Sequence, residues 1–290
     1  MQLKEIHIVP IIKDPLRLQE YGVGIFYRIK SKSALKKAIK KKLLFVNGNV
    51  ATTGTMIFGG EEIIYQIPEN TTNTRLVLKL NVVFEDEYLA VINKPAGILV
   101  SGNGFKTVAN ALPQNLKKSS AEDAVVPQPV HRLDYATTGL LLVGKTNSAI
   151  TKLNKLFEYK NVTKEYYAVT VGKMESSGII DNDIDDKHAT SSFEVIETIV
   201  SERFSSLNLV RLSPYTGRRH QLRKHLLSIG NPILGDPKYF LQGLQLKGKG
   251  LYLHARSLRF QHPVTNEEMF IESNLPKRFV KLFPTCNLPM

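Results

Sequence analysis

The chain has 290 residues, a length that suits one medium and one small domain. Of these residues 42% are hydrophobic and 22% charged, a composition typical of a folded globular protein. Its net charge of +13 favours a polyanionic partner, with nucleic acid ahead of an anionic membrane. The single Cys286 excludes an internal disulfide and a Cys-based zinc site, and no apolar run has the length of a membrane span, so we expect a cytoplasmic protein without membrane attachment.

The first part of the chain predicts a small basic α/β unit. His7 to Val9 form a candidate strand, and Ser33 is the candidate cap of a helix. Asn47-Gly48 between apolar residues indicates a hairpin. The helix has an apolar face with Leu35, Ala38, Ile39 and Leu43, and an opposite basic face with Lys36, Lys37, Lys40, Lys41 and Lys42. The basic face is suited to contact RNA phosphates, although a solvated lysine face is the simpler alternative.

This segment resembles the α-L type RNA-binding module through the run SALKKAIKKKLLFVNGNVATTGTMIFGGEEI. The resemblance covers about residues 25–67 and departs at the front, where the usual arginine-leucine-aspartate opening is absent. We therefore expect an N-terminal RNA-binding module within residues 1–70, with Lys36, Lys37 and Lys40 as RNA contacts.

The middle of the chain begins with a Thr- and Asn-rich linker at residues 68–79. Residues 82–92 predict strand, acidic turn and strand, and the turn-forming run NKPAG follows. Residues 101–130 are polar, contain three prolines, and predict an irregular inserted loop.

The stretch HRLDYATTG, followed by the apolar run LLLV, places Asp134 just before a buried strand. A carboxylate there needs a partner, because burying an unpaired charge is costly. A local pair with Arg132 is the simplest arrangement, and a catalytic acid is the alternative.

The run GLLLVGKT also matches the phosphate-loop pattern of nucleotide-hydrolysing enzymes. Four large aliphatic residues between the glycines favour a core strand over an exposed loop that could surround phosphate. We therefore reject a nucleotide site.

Residues 147–159 predict a helix, and strands are expected at 162–171, 191–200, 205–212, 251–260 and 267–272. Residues 218–229 predict a helix with an apolar stripe of Leu222, Leu226 and Ile229, ended by Gly230. In this helix Arg219 and Arg223 would lie one turn apart on the same side.

Five motifs occur together and in order: NKPAG, HRLDYATTGLLLVGKT, KEYYAV, SPYTGRRHQLRKHLLSIGNPILGDPKY, and LHARSLRF with HP. Together they resemble the RluA-type family of RNA pseudouridine synthases over about residues 80–272. The resemblance implies an α+β catalytic domain at residues 80–290, built on a long, mostly antiparallel mixed sheet with flanking helices.

The resemblance also implies roles for single residues. Asp134 matches the catalytic aspartate, and Tyr166 matches the aromatic residue that packs on the target base. Arg223 matches the arginine that pairs with the catalytic carboxylate, which we expect it to hold bidentately. Arg132 matches the residue beside the displaced base, and His131 and Arg219 are further candidate RNA contacts.

Isomerising uridine involves no net redox change and no phosphate transfer, so we expect no cofactor, no metal and no nucleotide. Asp134 can act as nucleophile or as base, and the sequence leaves both open. We expect a monomer acting on extruded uridines in folded RNA, with ribosomal favoured over transfer RNA. A catalytically silent RNA-binding or RNA-folding factor on the same fold is the alternative.

Overall fold

Two parts of the chain form separate units in the computed structural model, Met1–Arg75 and Leu76–Met290. The structure describes residues 4–67 and 76–284. Residues 68–75 of the predicted linker lie outside the described residues, and residues 76–79 have no regular secondary structure.

The first unit packs one amphipathic helix against a small antiparallel sheet of order β1-β6-β3-β4, with β2 and β5 as a separate pair. Its elements are β1 (Lys4–Ile8), β2 (Leu16–Arg17), α1 (Leu18–Tyr21), α2 (Lys32–Lys40), β3 (Leu44–Val46), β4 (Asn49–Val50), β5 (Met56–Ile57) and β6 (Glu62–Gln66). The helix and the hairpin of the sequence analysis are therefore both present.

The bounds of α2 differ from the prediction. Its N-cap is Ser31, not Ser33, because the Ser31 hydroxyl accepts a hydrogen bond from the Ala34 amide at 3.2 Å. The helix ends at Lys40, so Leu43 lies beyond it. Asn47 and Gly48 have φ of 47° and 79°, which is the two-residue turn expected between β3 and β4.

The second unit is built on a ten-stranded sheet in its described residues. The main path runs β12-β13-β14-β11-β15-β10-β8-β7, with β16 on β15 and β9 on β10. The elements are β7 (Asn81–Glu85), β8 (Leu89–Lys94), α3 (Val108–Asn115), β9 (Ala124–Pro129), β10 (Thr138–Thr146), α4 (Asn147–Glu158), β11 (Thr163–Val171), β12 (Ser177–Asp181), β13 (Thr190–Ser201), β14 (Ser205–Pro214), α5 (Gln221–Ser228), β15 (Leu253–Gln261), β16 (Glu268–Glu272) and α6 (Lys277–Leu282).

Most strand pairs of this sheet are antiparallel, and β10 pairs with β15 in parallel. This confirms the predicted α+β fold with a long, mostly antiparallel mixed sheet. None of the helices in residues 4–67 and 76–284 is long and apolar enough to cross a membrane.

The prediction of an irregular loop at residues 101–130 was wrong. This segment contains α3 and β9, and Val108, Ala111 and Leu112 of α3 are fully buried. Thr107 caps α3 by accepting from the Asn110 amide. These three buried side chains anchor the helix to the core. The many polar residues around them make the apolar spacing of the helix hard to recognise in the sequence.

The strand β10 carries the rejected phosphate-loop pattern. Its residues from 140 to 146 are buried, as predicted for a core strand. The Lys145 ammonium donates to the Glu85 carboxylate at 2.8 Å, and the Thr146 hydroxyl caps α4 by accepting from the Ala149 amide. Both side chains that would bind a nucleotide in such a pattern therefore have structural partners.

The helix α5 begins at Gln221, three residues later than predicted. Arg219 therefore precedes the helix and does not lie one turn below Arg223. Leu222 and Leu226 are buried, but Ile229 lies after the last helical residue and is 37% exposed. The predicted apolar stripe is thus shorter by one residue.

Candidate active site

Asp134 lies in a turn immediately before β10, and the neighbouring strand β8 holds this turn in place. The Thr137 amide donates to the Asp134 carbonyl at 3.1 Å, and the Gly97 amide donates to the Tyr135 carbonyl at 2.8 Å. The Lys94 ammonium at the end of β8 donates to the carbonyls of Tyr135 and Thr137. The backbone that carries Asp134 is therefore fixed by contacts from outside its own loop.

Lys94 is a buried cation near the Asp134 carboxylate. Burial lowers the pKa of Lys94 to about 8, and the nearby charge of Asp134 acts in the opposite direction. The ammonium makes three hydrogen bonds to backbone carbonyls, including one to Pro95 at 2.8 Å. Lys94 belongs to the NKPAG run, which was predicted as a turn and is one of the five motifs of the family resemblance, but no role was predicted for the lysine itself.

Arg223 projects from α5 and contacts two carboxylates. Its Nη1 donates to Oδ2 of Asp134 at 3.1 Å. Its Nε and Nη2 donate to Oδ2 and Oδ1 of Asp236 at 2.7 and 2.8 Å. The bidentate contact expected with Asp134 is therefore made with Asp236, and Asp134 receives a single bond. Burial opposes the positive charge, but the hydrogen bonds to both carboxylates raise the pKa of Arg223.

The structure also decides between the two partners considered for Asp134. Its carboxylate oxygens face Arg223 and His220, whereas Arg132 is exposed on the rim of the cleft. The local pair between Asp134 and Arg132 is therefore not formed.

Tyr166 lies in the middle of the sheet on β11, opposite Leu212 of β14 and Ala255 of β15. A register shift between Glu165 and Tyr166 marks a bulge at this point. Burial, followed by the charge of Asp134, raises the pKa of Tyr166, so its phenol is neutral at physiological pH.

Asp134, Tyr166 and Arg223 line one cavity of about 520 Å³, a volume typical of small-molecule sites. Its walls come from the Asp134 turn, the end of α4, β11, and the segment from β14 into α5. The cationic side chains among its lining residues are Arg132, Lys160, Lys164, Arg218 and Arg223. A cavity with an aromatic wall and a basic rim can hold a nucleotide and the phosphates beside it.

The predicted RNA contacts have different placements. Arg132 lines the cavity and is exposed, and Arg219 is exposed just before α5 but does not line the cavity. Lys36, Lys37 and Lys40 are exposed on α2 in the first unit.

His131 makes two contacts with neighbouring elements of the second unit. Its Nε2 accepts from the Leu142 amide at 2.9 Å, and its ring stacks on Phe157 with centroids 4.8 Å apart. Burial, together with the charge of Lys164, lowers the pKa of His131 to about 3, so the ring carries no charge at neutral pH. His131 also lines the cavity, and its role as an RNA contact stays a prediction.

Besides Lys94, two residues close to Arg223 and Asp134 were not predicted from the sequence, Asp236 and His220. The Asp236 side chain is fully buried, and its Oδ1 also accepts from the amides of Lys238 and Tyr239. His220 faces Asp134 from the residue before α5. Both lie in the long motif that supports the family resemblance, but Gly-Asp-Pro predicts a solvated turn and gives no sign of a buried acid.

Within residues 4–67 and 76–284, no group of three or more His, Cys, Asp or Glu side chains is arranged to hold a metal ion. In the cavity the Asp134 carboxylate lies beside Arg223, and Tyr166 and Glu158 also line it.

Comparison with known proteins identifies the family of this chain. The family model described as RNA pseudouridylate synthase matches residues 88–228. "Ribosomal large subunit pseudouridine synthase D" of Pasteurella multocida is 36% identical, over 87% of this chain and 86% of the relative. The protein of the same name from Vibrio cholerae is 33% identical over 96% and 94%. The solved structure "Human RNA Pseudouridylate Synthase Domain Containing 4" is 29% identical with a TM-score of 0.57, over 72% of this chain and 94% of that one. With this identity over most of its length, the chain belongs to the RNA pseudouridine synthase family.

Proposed function

We propose that this protein converts specific uridines of large-subunit ribosomal RNA to pseudouridine, with Asp134 as the catalytic residue. The observation that carries the proposal is the Asp134 carboxylate, bonded to Arg223 at 3.1 Å in a cavity that Tyr166 also lines. The names of the relatives in Pasteurella multocida and Vibrio cholerae support ribosomal RNA as the substrate.

The proposed roles follow from the positions of the side chains. Asp134 acts either as a nucleophile or as a general base, and the hydrogen bond from the Arg223 guanidinium orients its carboxylate. Tyr166 offers a neutral aromatic face to an extruded base. The rim cations bind the phosphates beside it, with Lys36, Lys37 and Lys40 of the first unit as additional RNA contacts.

The decisive test uses ribosomal RNA from cells that lack the gene, with pseudouridines mapped before and after incubation with the purified protein. We expect Asp134→Asn to form no pseudouridine and to keep RNA binding. The matched control is Asp183→Asn, which changes an exposed aspartate outside the cavity. Turnover by Asp134→Asn at the wild-type rate would refute the assignment, and modification of transfer RNA alone would refute the substrate class.

We also propose that the protein acts as a cytoplasmic monomer without metal or nucleotide. Activity should survive dialysis against a chelator when the RNA is kept folded with monovalent salt, and it should not require ATP. Restoration of a lost activity by zinc, or a dimer mass in light scattering, would contradict this part of the proposal.

A further inference from the structure

The second oxygen of the Asp134 carboxylate faces a residue outside the roles described above. Arg223 bonds to Oδ2, and Nε2 of His220 lies 3.7 Å from Oδ1. His220 has φ of 57°, in the left-handed region that residues with a side chain rarely adopt. Such backbone geometry persists only where surrounding contacts hold it, and it is frequent at functional sites.

The other ring nitrogen of His220 is held by Tyr239. Nδ1 lies 2.9 Å from the Tyr239 hydroxyl, and the two rings meet edge to face with centroids 5.6 Å apart. Tyr239 is itself fixed, because its amide donates to Asp236 and its ring lies 4.9 Å from the Arg223 guanidinium carbon. The turn from Asp236 to Tyr239 therefore holds both residues that face the Asp134 carboxylate.

These contacts select the protonation state of the ring. An anionic carboxylate beside Nε2 favours the tautomer with hydrogen on Nε2, so that Nδ1 accepts from the Tyr239 hydroxyl. Burial lowers the pKa of His220, the cations Arg223, Arg219 and Lys238 lower it further, and Asp134 acts in the opposite direction. The neutral ring thus carries its one N–H on Nε2, the nitrogen that lies 3.7 Å from Oδ1.

We propose that His220 is a positioning residue for the Asp134 carboxylate. Its Nε2–H orients Oδ1 while Arg223 holds Oδ2, and the Tyr239 hydroxyl fixes the tautomer that makes this possible. The inference rests on the proposed function of Asp134. It adds the residue that orients the carboxylate oxygen that Arg223 does not contact.

The sharpest variant is Tyr239→Phe, which keeps the ring beside Arg223 and removes only the hydroxyl at Nδ1. We expect its single-turnover rate at saturating RNA to fall by about 10- to 100-fold, as for a misplaced catalytic group, with unchanged RNA affinity and Tm. The control is Tyr21→Phe, which removes a similar tyrosine–histidine contact, 2.8 Å to His7, in the first unit. Tyr21→Phe should keep the wild-type rate.

Two His220 variants give a readout that a purely structural role would not change. His220→Ala should lower the single-turnover rate at saturating RNA by about 10- to 100-fold while the RNA affinity stays unchanged. His220→Gln, whose amide can supply an N–H, should recover much of the rate lost in His220→Ala, whereas a purely structural role predicts equal rates for the two variants when their Tm values are equal.

The outcomes separate the inference from the proposed function. An active Asp134→Asn would overturn both. An inactive Asp134→Asn together with wild-type rates in Tyr239→Phe, or with equal rates in His220→Ala and His220→Gln, would overturn the role of His220 alone. If His220→Ala fails to fold, the rate of Tyr239→Phe decides.

Discussion

Arg223 shows how a single residue can join the stability of the fold to the chemistry of the site. Its guanidinium is buried between Asp236, which has no exposed side-chain surface, and Asp134, whose side chain is 26% exposed. The contact with Asp236 is bidentate and dry, and the contact with Asp134 opens into the cavity. The contact with Asp236 orients the guanidinium, so that its Nη1 can donate to the Asp134 carboxylate.

This difference predicts unequal coupling energies. Arg223→Ala should cost about 3–5 kcal/mol of unfolding free energy, because it leaves the buried Asp236 charge unpaired. In double-mutant cycles with Asp236→Asn and with Asp134→Asn, measured by denaturant unfolding, the coupling to Asp236 should be the larger.

The control for these cycles is the exposed pair of Lys224 and Asp185, 2.6 Å apart, which should couple by less than about 1 kcal/mol. A coupling to Asp134 equal to or above that to Asp236 would show that the buried contact does not hold the guanidinium.

The low pKa of His131 leads us to expect that the free energy of unfolding decreases in acid. Its pKa is about 3 in the folded protein, below the ordinary value, so between about pH 6.5 and pH 3 the unfolded chain binds a proton that the folded chain does not. Stability should therefore fall as pH falls through this window, by up to about 1.4 kcal/mol per pH unit from this group.

The comparison for this prediction is His131→Gln, whose amide oxygen can still accept from the Leu142 amide. Urea unfolding of the variant between pH 6.5 and 4 should show a shallower loss than the wild type. Parallel curves for the two proteins would mean that His131 titrates alike in the folded and unfolded states.

At the scale of elements, β10 places the site because its first residues join two parts of the sheet. Gly139 pairs with Lys94 of β8 on one side and with Ala255 of β15 on the other. Its φ is 114°, and a Cβ there would collide with the Ala255 backbone, with the amide nitrogen at 2.5 Å. Only glycine lets these strands approach so closely.

We therefore predict that Gly139→Ala destabilises the second unit by more than about 3 kcal/mol, at the upper end of ordinary substitutions. Gly104→Ala is the control, since a Cβ at Gly104 meets nothing within 4 Å. Guanidinium unfolding of both variants tests the prediction, and similar midpoints would show that β15 can move away from β10 at little cost.

At the scale of the whole molecule, the cavity and all the residues that line it belong to the second unit. The first unit has its own core, which includes Leu35, Ile39, Leu44 and Ile63. The lysine face of α2 therefore depends on a separate fold, and we propose that it contributes affinity for RNA more than chemistry.

Removal of residues 1–75 should leave a folded, catalytically competent second unit that binds RNA more weakly. The plot of log affinity against log salt concentration should become less steep. Each lysine–phosphate contact releases counterions from the RNA, and fewer such contacts remain after the removal. The combined Lys36→Ala, Lys37→Ala and Lys40→Ala variant of the full chain should reproduce much of this change. An unaltered affinity and salt slope in both proteins would make the first unit a structural appendage.

The sequence by itself determined the elements whose periods are strong and local, such as the core strand β10 and the helix α4. It also singled out Asp134 and Tyr166 as candidates, through motifs that are contiguous in the chain. The family resemblance also paired Arg223 with Asp134, 89 residues away, and the tertiary structure decided that the bidentate partner of Arg223 is Asp236. It also decided that the polar segment around α3 is helical, because burial against the sheet overrides a weak local pattern. Local sequence patterns indicate which face of an element is apolar. Ion pairs between distant residues depend on how the elements pack, which a short stretch of sequence does not specify.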